Sequence, residues 1–340
     1  MLPSKTADEK FIRAAITLAK RAGCQTSPNP TVGAIIVRNG RIIGKGFHTG
    51  PGHPHAEIEA IRSLKNPNLA HGATIYISLE PCSTHGRTPP CTTAILEHGF
   101  ARVVYGATDP NPKHAGRACG ILRNANIAVT SGILETECAA LNATWNHWIL
   151  TGTPYVIAKC GMSLDGRIAS HPDSRWITSA ASRADAMQLR TRVDAILVGG
   201  TTVRIDNPQL TLRGTTGRQP WRVIWSRSGR IPKSSHLLRD AYKARTLICK
   251  SHSFAELLTF LGKKEITSLL VEGGGRTLGA AFDANFVNEV VFYVAPRLLG
   301  GKPSAVDGIG VASNADAIAL KNIAYKKIGA DLRISGVPCW

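Results

Sequence analysis

The stretch ATIYISLEPCSTHGRTPPCTTAILEHG, Ala73 to Gly99, decides how this chain is read. Ile75, Ile77 and Leu79 alternate with Tyr76 and Ser78, the period-two pattern of a strand. Pro89-Pro90 then precede Thr92 to Gly99, a helical segment with proline at its start and glycine at its end. Glu80-Pro-Cys82 therefore falls just past a strand's C-terminal end, and Cys91 lies at a helix start.

The same alternation extends in both directions. Upstream, helical spacing runs from His55 through Ile58, Ile61 and Leu64. Before it, Val32 to Val37, Asn39-Gly40 and Arg41 to Gly46 read as a hairpin, because Asn-Gly supplies the positive φ angles of a type I′ turn. Thr6-Ala-Asp-Glu9 is a capping-box pattern ahead of Ile12, Ala15, Ile16 and Ala19, which predicts a first helix. Downstream, Val103-Val104-Tyr105 reads as the next strand. Strand alternating with helix predicts an α/β domain with a largely parallel sheet, whose ligands gather at the C-terminal strand ends.

A second α/β series begins at Tyr155 to Lys159, after a connection around Thr151-Gly-Thr-Pro154. Strands are expected at 195–198, 223–225, 246–248, 268–271 and 290–294, with a helix from Ser182 to Arg192 opened by the capping-like Ser182-Arg-Ala-Asp185. A chain of 340 residues is about twice the usual domain size, so two domains are expected, 1–150 and 151–340.

No apolar run approaches the ~18 residues of a bilayer span, and MLPSKTADEKF lacks the apolar stretch of a signal peptide. A soluble, cytoplasmic protein without a membrane partner is the expectation. The eight cysteines are scattered rather than dense, so most are expected to be reduced and buried. The formal net charge of +18 favours anionic partners, whether nucleic acid, a membrane surface or phosphorylated small molecules.

Cys82 and Cys91 need their own explanation. Zinc prefers tetrahedral nitrogen and sulfur donors, and a catalytic zinc keeps one of four positions for water. His55, Cys82 and Cys91 supply three such donors, and a helix start favours the Cys91 thiolate. Glu57, two residues after His55, is placed to move protons. This matches the H-x-E…P-C-x-x-C signature of zinc nucleobase deaminases, except that Cys91 follows Cys82 after eight residues rather than two. Such a site lowers the pKa of a water toward ~7 for attack on an amino-bearing ring carbon. A closed structural zinc site remains open, with His48, His53 or His85 as fourth ligand. An RNA-type deaminase with a basic appendage also remains open.

The long insertion carries a resemblance. HPHAE and EPCSTHGRTPPC, preceded by Ser27-Pro-Asn-Pro-Thr-Val-Gly33, resemble the bifunctional riboflavin-biosynthesis deaminase/reductase family. The resemblance implies a cytidine-deaminase-like αβα domain whose phosphorylated pyrimidine substrate is met by Asn29, His48 and Arg87, with no nucleic-acid partner. Thr84 departs from the family, which carries a second histidine beside His85.

Ser163-Leu-Asp-Gly166-Arg, Trp176-Ile-Thr-Ser179, Asp206 to Arg213 and Val271-Glu-Gly-Gly-Gly275 follow in order, and together are similar to the reductase half of that family. This implies a dihydrofolate-reductase-like domain that uses NADPH, and a homo-oligomer. Carried over motif by motif, the cofactor would meet Gly161, Trp176, Thr202, Asp206, Ser226, Gly274, Gly275, Arg276, Thr277, Leu278, Gly279 and Ala280. The substrate would meet Ser174, Arg190, Leu210, Arg213 and Glu272, with Lys159 a further candidate near the reacting sugar. Arg190 and Arg213 suit phosphate, because a guanidinium fork binds it through paired hydrogen bonds.

Overall fold

The computed structural model describes residues 5–85, 89–168, 176–214 and 217–340, so the candidates Arg87 and Ser174 lie outside the described residues. The chain divides into two compact units between Thr151 and Gly152. Among the described residues no helix is long and apolar enough to cross a membrane.

The first unit runs α1 (Lys5–Ala19), β1 (Gly33–Arg38), β2 (Arg41–Phe47), α2 (Ala56–Arg62), β3 (Thr74–Leu79), α3 (Cys91–Glu97), β4 (Arg102–Ala107), α4 (Arg117–Asn124), β5 (Ala128–Thr130), α5 (Glu135–Leu141) and α6 (Ala143–Thr151). Its five-stranded sheet has the order β2-β1-β3-β4-β5. The expectation of a largely parallel sheet needs correction here. β1 pairs antiparallel with both β2 and β3, and only β3-β4-β5 is parallel. The hairpin causes this, since a two-residue turn can join only antiparallel neighbours. Asn39 and Gly40 do have positive φ, 51° and 72°.

Glycine sets how closely the helices pack on this sheet. A Cβ on Gly33 would stand 2.1 Å from the Ala15 carbonyl of α1, and one on Gly46 would stand 2.2 Å from the Ala60 nitrogen of α2. No larger residue fits at either contact. The close approach of β2 to α2 fixes the helix that begins directly after His55.

The Thr6 capping box is not used as one, because the helix already includes Lys5 and Thr6. Asp8, instead of facing solvent in a first turn, is buried against Arg102, whose Nη1 and Nη2 donate to its two oxygens at 2.9 and 2.7 Å. The Tyr76 hydroxyl donates to the same carboxylate at 2.9 Å. These bonds tie α1 to β3 and β4.

The second unit runs β6 (Tyr155–Ser163), α7 (Ala180–Arg190), β7 (Ala195–Gly199), α8 (Gly200–Asp206), β8 (Trp221–Trp225), α9 (His236–Arg239), β9 (Thr246–Cys249), α10 (Phe254–Lys263), β10 (Ser268–Val271), α11 (Gly275–Asp283), β11 (Glu289–Ala295), β12 (Leu320–Ile328) and β13 (Asp331–Pro338). The sheet order is β12-β13-β11-β6-β10-β7-β8-β9. The six strands from β11 to β9 are mutually parallel, and the terminal β12–β13 hairpin adds antiparallel to β11. α7 starts earlier than its sequence pattern predicts. Ser179 is the cap, accepting from the Ser182 amide at 3.3 Å, while Ser182 is buried inside the helix. Asp185 instead accepts from the Tyr293 hydroxyl at 2.6 Å.

Candidate zinc centre and strand-end site

In the first unit three elements deliver one cluster. His55 precedes α2 with extended backbone, Cys82 lies in the loop after β3, and Cys91 opens α3. His55 Nδ1 lies 3.5 Å from Cys82 Sγ and 3.3 Å from Cys91 Sγ. Donors on a tetrahedral zinc, with Zn–S about 2.3 Å and Zn–N about 2.0–2.1 Å, stand roughly 3.6 Å apart for a nitrogen–sulfur pair. The separations observed fit that ion.

The electrostatics agree. Cys82 is pulled well below the usual thiol range by hydrogen bonds from Cys91 and by His55, and the Cys91 backbone N–H donates to its sulfur at 3.2 Å. Cys91, facing that sulfur from a buried position, is pushed up. A cation between the two sulfurs would let both ionise.

Among the described residues these three donors are the only group close enough to share a metal ion. His48, one of the possible fourth ligands, has both ring nitrogens engaged in the fold. Nδ1 is 3.0 Å from the Pro54 carbonyl and Nε2 is 3.0 Å from Asn29 Nδ2. The carbonyl requires a proton on Nδ1, so Nε2 accepts from Asn29. Burial lowers the His48 pKa, which keeps the ring neutral in this arrangement. His53 and His85 are exposed.

Glu57, in the first turn of α2, is buried at 3% exposure, and burial pushes its carboxyl up. Sequence reading missed Glu80, a buried carboxylate that accepts from the backbone amides of Asp109, Gly116 and Ala118 at 3.2, 3.0 and 3.1 Å. It fastens the loop after β4 beside Cys82. Asp109 on that loop is raised by burial to about 6. Thr84 Oγ1 lies 3.3 Å from Nδ1 of His114, on the same loop. The strand-end position of Glu80 and the Asp-Pro-Asn-Pro turn after β4 were the available signals.

In the second unit the strand order gathers the candidates. Lys159 lies on β6, Gly199 ends β7, Ser226 follows β8 and Glu272 follows β10. These four strands are parallel neighbours, so their C-terminal ends share one rim. Glu272 accepts from Arg190 Nε at 2.6 Å and Nη2 at 2.9 Å, and Lys159 Nζ stands 3.9 Å away. Burial alone would raise the Glu272 carboxyl, but Arg190 and Lys159 hold it down to about 2. Arg190 Nη1 donates to the Thr211 carbonyl at 3.0 Å. Its fork is thus directed at a carboxylate and a loop carbonyl of the fold rather than left open for phosphate, while Arg213 is exposed.

The Thr202 hydroxyl accepts from the Gly274 amide at 2.9 Å, joining α8 to the glycine turn. A Cβ on Gly273 would meet nothing within 4 Å, so there is free space over this turn where α11 begins. A helix N-terminus beside open space at parallel strand ends suits the pyrophosphate of a dinucleotide. Arg276, 94% exposed in that first turn, has its Nε 3.7 Å from Asp307 Oδ2. Gly161 packs on Thr178, Asp206 ends α8, Leu210 is buried with φ 52°, and Trp176 is exposed with the Arg183 guanidinium 4.7 Å over its ring. Thr277, Leu278 and Gly279 are buried within α11, and Ala280 is half-buried.

Residues 5–107 match the family model described as the cytidine and deoxycytidylate deaminase zinc-binding region, and residues 154–334 match the RibD C-terminal domain. A riboflavin biosynthesis protein RibD of Escherichia coli is 36% identical, over 96% of this chain and 98% of its own. Its counterpart in Actinobacillus pleuropneumoniae is 38% identical, over 97% and 95%. Among solved structures, Acinetobacter baumannii RibD superposes with a TM-score of 0.91 at 34% identity, covering 98% of this chain and 99% of that one. A diaminohydroxyphosphoribosylaminopyrimidine deaminase/5-amino-6-(5-phosphoribosylamino)uracil reductase of Thermotoga maritima superposes with a TM-score of 0.88 at 34% identity, over 98% and 99%.

Proposed function

The chain belongs to the bifunctional riboflavin-biosynthesis deaminase/reductase family, and from that premise we propose how its own residues divide the two reactions. The first unit replaces the amino group of a diaminohydroxyphosphoribosylaminopyrimidine by a carbonyl, consuming water and releasing ammonia. The second reduces 5-amino-6-(5-phosphoribosylamino)uracil with NADPH and a proton, opening the ribosyl group to a ribityl chain. The observation that carries this reading is the three-donor cluster of His55, Cys82 and Cys91 with the buried Glu57 on the same helix start.

Zinc held by His55, Cys82 and Cys91 supplies the Lewis acidity that makes water nucleophilic near neutral pH. Glu57 takes one proton from the water and gives it to a ring nitrogen, then carries the second, from the hydroxyl on the attacked carbon, to the departing amine. A carboxyl raised by burial suits that two-way transfer near neutral pH. Asn29, oriented through His48, keeps its carbonyl oxygen for a ring N–H of the pyrimidine. Arg87 is proposed to meet the substrate from the loop between the two cysteines.

The Gly273–Gly275 turn would hold NADPH, which would supply hydride. Glu272, held by Arg190, and Lys159 line the place where the sugar reacts, and the exposed Arg213 meets the phosphate. A nucleic-acid deaminase is not favoured, because the relatives match over both units. The family resemblance supports a cytoplasmic homo-oligomer.

A stepwise assay of the purified chain tests the reading. Ammonia release from the diamino substrate is expected first, followed by NADPH oxidation that requires the deaminated product. Ammonia release without subsequent NADPH oxidation would refute the reductase half.

A further inference from the structure

Arg222 is the second residue of β8, with 1% of its surface exposed, and the following Val223 and Ile224 are core residues. A guanidinium there has no route to a ligand and must be held by the protein. Nε donates to Thr246 Oγ1 at 3.1 Å, and Nη2 donates to the Leu237 carbonyl and Asp240 Oδ1, both at 2.9 Å. Nη1 donates to Asp240 Oδ2 at 2.5 Å and to the carbonyl of Gln209 at 3.1 Å.

The last bond joins this cluster to the chemistry. Gln209 is followed by Leu210, buried and left-handed at φ 52°, a conformation that L-residues other than glycine adopt only at a cost in free energy. The next residue, Thr211, gives its carbonyl to Arg190, which also grips Glu272. Two arginines thus hold the carbonyls on either side of the strained residue. Farther out, Asn207 Oδ1 accepts from the His236 amide at 2.9 Å, and Gln219 Oε1 accepts from the Leu212 amide at 2.9 Å.

We infer that Arg222 is a positioning residue for the reductase: it fixes segment 207–213, and so presents Leu210 and Arg213 to the phosphorylated pyrimidine without touching it. Asp240 neutralises the buried cation, and Thr246 orients it. Lysine in its place keeps the charge but lacks the fork, so it cannot hold the Gln209 and Leu237 carbonyls and the Asp240 carboxylate together. The inference rests on assigning Leu210 and Arg213 to the substrate side.

The test uses the full chain, with Arg222→Lys and the milder Thr246→Val. Arg222→Lys is expected to raise the reductase KM for the pyrimidine about tenfold and leave the KM for NADPH within about twofold, because a small misplacement of a binding segment acts on the ligand it contacts. Thr246→Val should move the same KM in the same direction by about threefold, since it removes one orienting acceptor. Ammonia release by the first unit should be unchanged in both. Arg213→Met tests the underlying assignment, and an unmoved pyrimidine KM there would refute that reading. If Arg213→Met raises the pyrimidine KM while Arg222→Lys and Thr246→Val fold and leave it unchanged, the positioning role is overturned. Parallel shifts of both KM values, with lost thermal stability, would reduce Arg222 to a structural residue and overturn it equally.

Discussion

Replacing Glu272 by glutamine keeps the shape of the side chain and removes its charge. In the folded unit the Glu272 side chain, 9% exposed, lies between Arg190, at 2.6 and 2.9 Å, and Lys159, at 3.9 Å. Burial opposes its ionisation, and the two cations overcome that and take the carboxyl from 4.5 to about 2. A depression of that size is worth roughly 3 kcal/mol of stability when the group is ionised. Because the folded pKa is depressed, the contribution is complete above about pH 4.5 and lost as pH falls toward 2. Glu272→Gln should therefore cost the reductase unit about 3 kcal/mol at pH 7, the cost of leaving Arg190 buried without its counterion. The gap to wild type should narrow as pH falls through that window. Urea unfolding followed by the fluorescence of bound NADPH reads this unit. A variant as stable as wild type at neutral pH, or a gap independent of pH, would refute the electrostatic account of this site.

Two further outcomes concern the first unit. Asp8→Asn leaves Arg102, 7% exposed at its side chain, without its carboxylate; it should cost about 3 kcal/mol, and heating should abolish ammonia release before NADPH oxidation. His48→Phe removes the acceptor that orients Asn29; the deaminase KM should rise about tenfold with zinc content unchanged, as for loss of one positioned hydrogen-bonding group, which steady-state kinetics and metal analysis would check.

Local signals made much of this legible. Asn39-Gly40 specified the hairpin, and His55-Ala-Glu57 with Pro81-Cys82 specified a zinc deaminase despite the wide spacing to Cys91. The reductase contacts came through resemblance, not spacing. What escaped the sequence depends on distance along the chain. Asp8 reads as a first-turn helix acid, and only the fold shows that Arg102 claims it across 94 positions. Arg190 reads as a phosphate clamp until Glu272, 82 positions away, is found in its fork. β12 was missed because all but its end residues are exposed, so Leu320 to Ile328 lacks the alternation that a half-buried strand imprints.

Zinc content and ammonia release measured together on wild type and Glu57→Gln test the central claim most directly. The account predicts about one zinc per chain in both proteins, from three protein donors with a position kept for water, and a fall in ammonia release of about 10²- to 10⁴-fold in the variant, the usual worth of a general acid–base group. Undiminished ammonia release from zinc-loaded Glu57→Gln would contradict it.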